Sequence, residues 1–280
     1  MLTVEAPAKI NLTLEVLSKR ADGFHEIRSV MQAVSLCDVL SFSKADKTSI
    51  RCDMEGWSAE KSLVSRAVNL LREATGCTGG VAIDITKKIP LMSGLGGDSS
   101  DAAAVIKGLN EIWAIGLSPE KQSEIAVELG SDVPFFLRGG TALATGRGEV
   151  ITALPSLSRM QVVLVVPDVP AREGKTARMY RSLRASHYTD GKITERLVDK
   201  IRNKRQFKSE TLFNTFENVT FKDKKIQTYK EHLIKLSASI IHLAGSGPTL
   251  YTVFEDKNKA EDLYIRCQNQ GMKVYLAKTL

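Results

Sequence analysis

Residues Pro90 to Trp113 read PLMSGLGGDSSDAAAVIKGLNEIW. The stretch opens with a glycine-rich turn, SGLGGDSS, in which Gly94, Gly96 and Gly97 supply backbone freedom that other residues resist. It then enters a run where Ala102, Val105, Ile106 and Leu109 recur at helical spacing, which predicts a helix with one apolar face. Ser99, Ser100 and Asp101 sit at the junction, where N-cap residues belong. A glycine turn feeding a helix start presents bare N–H groups and the positive end of the helix dipole to one point, and that is a phosphate site. An ordinary capped helix needs only a tight turn. Here small residues extend from Ser93 to Ala104 with hardly a bulky side chain beyond Leu95 and Asp98, as close approach of a large polyanion requires. No G-x-x-x-x-G-K-[ST] occurs in the stretch, so the loop is not a Walker A motif.

A chain of 280 residues is long enough for two domains or one large one. Its 43% apolar and 25% charged content is that of a soluble globular protein. The net charge of +7 comes from basic residues scattered among acids, which suits anionic substrates better than nucleic acid. The densest basic run, Lys200 to Lys208, reads as a solvated helix face. Cys37, Cys52, Cys77 and Cys267 are far apart, with no CxxC and no zinc spacing, and are expected to be reduced and structural. The N-terminal MLTVEAPAKINL lacks basic and apolar leader regions, and no apolar run is long enough to span a bilayer. A cytoplasmic, soluble protein with no membrane partner is expected.

Before the phosphate loop, Ile10, Leu12, Leu14 and Val16 alternate with Asn11, Thr13 and Glu15, a half-buried strand within Leu2 to Val16. Pro7 predicts a break or an edge there. Lys9 and Asn11 share the polar face, as a solvated pair or as a site. A turn at Asp22-Gly23 follows, with Phe24 and His25 directly after it. An aromatic beside an imidazole suits a planar base, since one stacks and the other hydrogen-bonds the base edge. Ser62 to Thr75 is helical with a stripe of Leu63, Ala67, Leu70 and Leu71, a strand covers Val81 to Thr86, and Lys87-Lys88 reads as a surface pair. Beyond the loop, Ser118 caps a helix opened by Pro119 and ended near Gly130. Asp132 precedes Val133-Pro134 as a cap or a catalytic carboxylate. After Leu154 come a strand at Gln161 to Val166 and helices at KTARMYRSL, Ile193 to Lys204 and Asp223 to Leu236. VPAREGKT imitates a Walker A motif, but Val169 replaces its first glycine and Pro170 removes a donor, so it is rejected. Ala244 to Thr249 is a third glycine-rich turn, entering a strand at Leu250 to Phe254, and Ala260 to Ala277 adds a helix and a strand.

Taken in order, PAKINLTLEV, DGFHEIRSV, PLMSGLGGDSSDAA, GSDVPFF and AGSGPTLYTVF resemble the motifs of the GHMP kinases over nearly the whole chain. These small-molecule kinases include galactose, homoserine and mevalonate enzymes. The Phe24-His25 pair points within them to the branch whose alcohol carries a cytidine diphosphate. The resemblance implies an α+β, two-domain GHMP kinase fold. A ribosomal protein S5 domain 2-like N-terminal domain (1–154) would hold the ATP loop and catalytic residues, and a ferredoxin-like C-terminal domain (155–280) the substrate wall. ATP is placed on Pro90, Leu91, Met92, Ser93, Gly94, Leu95, Gly96, Gly97, Asp98, Ser99 and Ser100, although Asp98 replaces the commoner third glycine and is expected to point outward. Mg²⁺ would come with ATP rather than occupy a resident metal site, with the Ser99 or Ser100 hydroxyl as its protein ligand. Asp132 matches the aspartate facing the substrate hydroxyl, and Lys9 the cation that keeps it ionised and offsets phosphoryl charge. Asn11 and Thr176 match substrate-binding positions, while Phe24, His25 and Tyr180 match the surroundings of the cytosine. Gly245, Ser246 and Gly247 resemble a loop closing on the phosphates, and Asn214 with Glu217 a structural N-x-x-E signature. Ser62 stands where similar enzymes often carry an Asn near the adenine, with Asn69 as a weak substitute. The implied reaction phosphorylates the tertiary 2-hydroxyl of a methylerythritol in isoprenoid precursor supply, by a monomer or weak homodimer. A homoserine- or mevalonate-type kinase is the alternative. A non-catalytic nucleotide-binding regulator would be expected to lack Lys9 or Asp132.

Overall fold

The computed structural model describes residues 1–170, 174–238 and 240–280. Strands β1 (Leu2–Lys19), β2 (His25–Ala45) and β3 (Ser49–Cys52) come first, then helix α1 (Leu63–Thr75) and strand β4 (Gly80–Thr86). Helices α2 (Gly97–Ile112), α3 (Pro119–Leu129) and α4 (Val133–Arg138) follow, then strands β5 (Thr141–Gly146), β6 (Val150–Ala153) and β7 (Gln161–Val165). The remainder comprises α5 (Lys175–Ser182), α6 (Lys192–Arg202), β8 (Phe213–Asn214), α7 (Glu217–Thr220), α8 (Lys224–Lys235), β9 (His242–Leu243), β10 (Leu250–Phe254), α9 (Lys257–Asn269) and β11 (Val274–Lys278). Residues 171–173 of the VPAREGKT decoy lie outside the described residues.

The chain makes two compact units that do not follow chain order. One contains Met1–Ala8, Cys37–Leu91 and Gly96–Gly139, the other Lys9–Leu36, Met92–Leu95 and Gly140–Leu280. Strands β1 and β2 are long enough to run through both. β1 continues through Pro7 without a break, and its pairing with β8 is confined to Thr13 and Leu14, which fits the edge that Pro7 also predicts.

In the second unit, Ile27–Gln32 of β2 pair antiparallel with β5, which pairs with β6, and Thr13 and Leu14 of β1 run parallel to β8. A separate antiparallel sheet has the order β11-β7-β10-β9. Val163, Val165 and Leu250 of this sheet are buried with Ile226 and Leu233 of α8 and with Leu263 of α9. That burial is why the apolar residues of these charged helices recur at helical spacing. The basic run from Lys200 leaves α6 after Arg202 and continues through an exposed turn, so only its first residues are helical.

The first unit is built on α2, against which α1 and α4 pack. The spacing predicts one apolar face, but Ser100 to Ile106, Gly108 and Leu109 are all buried. A helix enclosed on nearly all sides needs small residues, so Ala102, Ala103 and Ala104 serve packing rather than polyanion approach. A Cβ on Gly108 would lie 2.7 Å from the buried Phe42 ring. In α1 the buried stripe is Val64, Ala67, Val68 and Leu71, rotated from the expected Leu63 and Leu70. Helix α3 starts at Pro119 behind the Ser118 cap and stops before Gly130, as its spacing predicts.

Lys87 is not half of a surface pair. Its ammonium lies 2.7 Å from Asp38 Oδ2 and 2.7 Å from Asp101 Oδ2, with all three side chains at most 1% exposed. Lys88 is exposed. Asp38 Oδ1 accepts from the backbone N–H groups of Lys88 (2.6 Å) and Ile89 (2.8 Å). One cation thereby ties β2, the β4–α2 linker and the first turns of α2 together. Burial opposes the charge on Lys87, but Asp101 and Asp38 outweigh it and hold its pKa above the ordinary lysine range. Burial pushes the Asp101 carboxyl up despite the pull of the same ammonium. Removing the lysine leaves two buried carboxylates unpaired. Lys87→Met is expected to lower the unfolding free energy by about 3–5 kcal/mol, read as the urea midpoint at constant m-value. A loss below about 1 kcal/mol, the surface-pair range, contradicts this account.

Candidate active site

Lys9 and Asn11 lie on the face of β1 that the alternation marks as polar, and both are buried, Lys9 at 4% and Asn11 at 3% exposure. The solvated reading of this pair is therefore excluded. Lys9 Nζ donates to Asn11 Oδ1 (2.8 Å), Asn11 Nδ2 to Ser29 Oγ (2.8 Å), and Ser29 Oγ to the Thr13 carbonyl (2.6 Å). The buried Tyr251 hydroxyl of β10 donates to the Asn11 carbonyl at 2.7 Å. Each polar group in this row is oriented by the next, so the Lys9 ammonium is held in a fixed direction.

Lys9 N–H donates to the Leu95 carbonyl at 2.9 Å, which brings the first glycine-rich loop to the same strand. The loop packs backbone to backbone on the third glycine turn. A Cβ on Gly94 would stand 2.4 Å from the Ala244 carbonyl oxygen and 2.6 Å from that of Gly247. One on Gly245 would stand 2.8 Å from the Gly94 carbonyl oxygen and 3.2 Å from Lys9 Nζ. Only glycine fits both positions, which also have positive φ (86° and 52°). Thr249 N–H donates to the Ser93 carbonyl (3.2 Å), and Ser246 Oγ lies 3.0 Å from Thr176 Oγ1. The turn is held from behind by the expected N-x-x-E pair. Asn214 Nδ2 donates to the Leu243 and Gly245 carbonyls (both 2.8 Å), and Glu217 Oε1 accepts from Leu243 N–H (2.9 Å).

After Leu95 the chain enters α2 with Gly96 as its N-cap, so Ser99, Ser100 and Asp101 lie inside the helix rather than capping it. Gly97 is helical, and a Cβ there would stand 3.0 Å from Ile89, so it is needed for packing and not for a left-handed turn. The Asp98 side chain is 53% exposed, pointing outward as expected, 3.8 Å from Lys87 Nζ. The first-turn N–H groups have no intrahelical acceptor and are available to an anion. Among the described residues no group of three or more His, Cys, Asp or Glu is placed to hold a metal. The donors at the helix start are hydroxyls: Ser99 is half-buried, while Ser100 Oγ is buried and has no hydrogen-bond partner. Such hydroxyls fit a single contact to an ion carried by nucleotide phosphates.

His25 stacks on Tyr180, with ring centroids 4.8 Å apart and planes at 20°, and meets the edge of Tyr188 at 6.0 Å. Tyr180 in turn abuts Phe216 edge-on at 4.9 Å. Burial and the charge of Lys19 lower the His25 pKa, which favours a neutral imidazole able to donate and accept. Phe24 is 51% exposed, and the Arg147 guanidinium lies 4.8 Å over its ring. The sequence reading missed Tyr188, Phe216, Arg147 and Lys175. Lys175 lies in the rejected VPAREGKT stretch and Phe216 inside the N-x-x-E signature, Tyr188 and Arg147 in no motif, and each reaches its neighbour only through tertiary folding. Lys175 Nζ donates to the Met92 carbonyl at 2.9 Å and to the Gly247 carbonyl.

Asp132 and the start of α2 belong to the other unit. Asp132 is the N-cap residue of α4 by position, but its backbone is right-handed helical and its side chain makes no capping hydrogen bond. The bland reading of this aspartate as a helix cap therefore fails. Ser62 does cap: it accepts from Ser65 N–H (3.2 Å) and donates to the Ala59 carbonyl (2.8 Å), while Asn69 is exposed on α1.

Residues 62–140 match the GHMP kinases N terminal domain family. A protein of Dehalococcoides mccartyi strain BAV1 named 4-diphosphocytidyl-2-C-methyl-D-erythritol kinase is 48% identical over 281 residues, covering 100% of this chain and 99% of its own length. One of the same name from Geobacter metallireducens is 39% identical over 263 residues, 92% of this chain and 91% of its own. The crystal structure of a 4-(cytidine 5'-diphospho)-2C-methyl-D-erythritol kinase superposes with a TM-score of 0.84 at 27% identity, over 99% of each chain. The fold is thus the α+β GHMP kinase fold, and the chain belongs to the 4-diphosphocytidyl-2-C-methyl-D-erythritol kinase family of the GHMP kinases.

Proposed function

We propose that this protein transfers the γ-phosphoryl group of ATP to the 2-hydroxyl of 4-diphosphocytidyl-2-C-methyl-D-erythritol, in the non-mevalonate route to isoprenoid precursors. The observation that carries this reading is the His25–Tyr180 stack, which stands in the same unit as Lys9 and the two interlocked glycine loops. A kinase for a small alcohol without a base has no need of that aromatic wall. Full-length relatives bearing this name support the same substrate.

Phosphoryl transfer asks the protein for alignment and charge stabilisation more than for covalent chemistry. Pro90 to Ser100 would take the ATP phosphates on their backbone N–H groups, with Gly245 to Gly247 closing beside them. Mg²⁺ bound to the nucleotide would neutralise developing charge on the phosphates, with the half-buried Ser99 hydroxyl or the buried Ser100 hydroxyl as its protein ligand. Lys9, held by Asn11, would offset charge on the transferring group. Asp132 would accept or orient the proton of the attacking hydroxyl. Asn11 and Thr176 would face the substrate, Phe24 would stack on the cytosine, and His25, backed by Tyr180, would read the base edge. In this division of labour residues 1–154 supply nucleotide binding and catalysis, and residues 155–280 the substrate wall and third loop. The protein would work in the cytoplasm as a monomer or weak homodimer on a small molecule, with neither nucleic acid nor membrane as partner. No helix among the described residues is long and apolar enough to cross a membrane.

The test is ADP release from Mg-ATP with 4-diphosphocytidyl-2-C-methyl-D-erythritol, homoserine, mevalonate or galactose. Turnover on the cytidyl alcohol alone is expected, and turnover on another alcohol instead would overturn the base-recognition reading. Asp132→Asn is expected to lower kcat by about 10²–10⁴, and near-full turnover would remove Asp132 from the chemistry. His25→Ala is expected to raise KM for the cytidyl substrate by about tenfold or more, with a smaller change in KM for ATP. Equal changes in both would contradict a base-reading role.

A further inference from the structure

Lys175 occupies a position that helix energetics alone does not favour. It is the first residue of α5, which opens from Gly174 and has no acidic residue in its first turn. A cation there opposes the positive end of the helix dipole, where carboxylates are stabilising. Its side chain nevertheless turns into the protein and bonds to one carbonyl from each glycine loop, Met92 on one side and Gly247 on the other. An ammonium has three donors, so these two bonds leave one N–H unspent.

A second cation converges on the same place. Lys9 Nζ lies 3.2 Å from the Cβ position of Gly245, two residues before the Gly247 carbonyl that Lys175 holds. Burial and the charge of Lys9 together lower the Lys175 pKa to about 8. One of these ammonium groups is buried and the other half-buried, they repel each other, and an anion between or beside them turns that repulsion into attraction. Every group in this arrangement lies in the second unit.

We propose that Lys175 is a second cation for the terminal phosphates of a nucleoside triphosphate, its ammonium stapling the Met92–Leu95 loop to the Gly245–Gly247 turn and offering its remaining N–H to the phosphate that Lys9 also meets. The proposal rests on the kinase reading above only for the identity of the anion. A pure staple and a phosphate ligand differ in what they do to ligands of different charge, so binding separates them.

Calorimetric titration with AMP and with a non-hydrolysable ATP analogue, both with magnesium, would be compared for the unaltered chain, Lys175→Met and Lys175→Arg. Lys175→Met is expected to weaken the triphosphate by about tenfold or more while AMP stays within about twofold, and Lys175→Arg to recover most of the triphosphate affinity. The proposal is overturned if Lys175→Met binds the triphosphate within about twofold of the unaltered chain, if AMP weakens equally, or if arginine does no better than methionine. If Lys175→Met does not fold, Lys175→Gln, which keeps an N–H for the loop carbonyls but not the charge, is read against the same limits with the arginine variant as the charge-retaining control. An unaltered chain that binds the triphosphate but phosphorylates no alcohol of the panel refutes the substrate reading and leaves the Lys175 comparison intact. One that binds no triphosphate overturns both.

Discussion

The Lys87 ammonium between Asp38 and Asp101 is the constraint on which the start of α2 in the first unit depends. Helix α2 is buried on nearly every side, and apolar packing by itself is non-directional. The ion pair supplies the direction. It fixes Asp101 of α2 against Asp38 of β2, while the second oxygen of Asp38 holds the two N–H groups that lead into the glycine-rich loop. A buried pair of this kind contributes little net stability relative to apolar residues, yet it is costly to break from one side. Its value here is that the first turn of α2, with its unpaired N–H groups, has one defined position.

In the second unit the comparable constraint is steric. Two glycine turns approach so closely that a single Cβ at Gly94 or Gly245 would collide with backbone oxygen. Hydrogen bonds from Thr249 and Lys175 then hold the turns together, and Asn214 braces the second from behind. The glycines of the first loop thus have three separate duties. Gly94 admits a neighbouring backbone, Gly96 begins the helix, and Gly97 gives room to Ile89. A run of small residues looks alike in sequence whichever of these it performs.

The aromatic wall follows another logic. In the proposed function it would face a base, which has two faces and an edge, and a neutral imidazole can both donate to such an edge and accept from it. Stacking on Tyr180 and the edge contact with Tyr188 restrict the His25 ring to one plane. Phe24, one residue earlier, stays exposed under Arg147 and offers a face. Specificity of this type comes from polar groups that would be left unpaired by the wrong ligand, a larger penalty than a missing apolar contact.

What the chain determines locally was legible in it. The glycine-rich turn before a helix, the capped start at Ser118 and the alternation of β1 all depend on residues within a few positions of one another, and turn chemistry and side-chain period are properties of that range. The order of the five motifs was enough to place the chain in its family. Burial was not legible, because it depends on what a face is pressed against. Lys87 reads as a solvated residue and is enclosed, Lys9 and Asn11 stand between solvent and a site until burial decides between the two, and the stripe of α1 is rotated toward neighbours that the sequence does not announce. Contacts across long separations were hidden for the same reason. Lys175 and Met92 are 83 residues apart, and only the tertiary fold, by laying one glycine turn upon another, decides that the two meet.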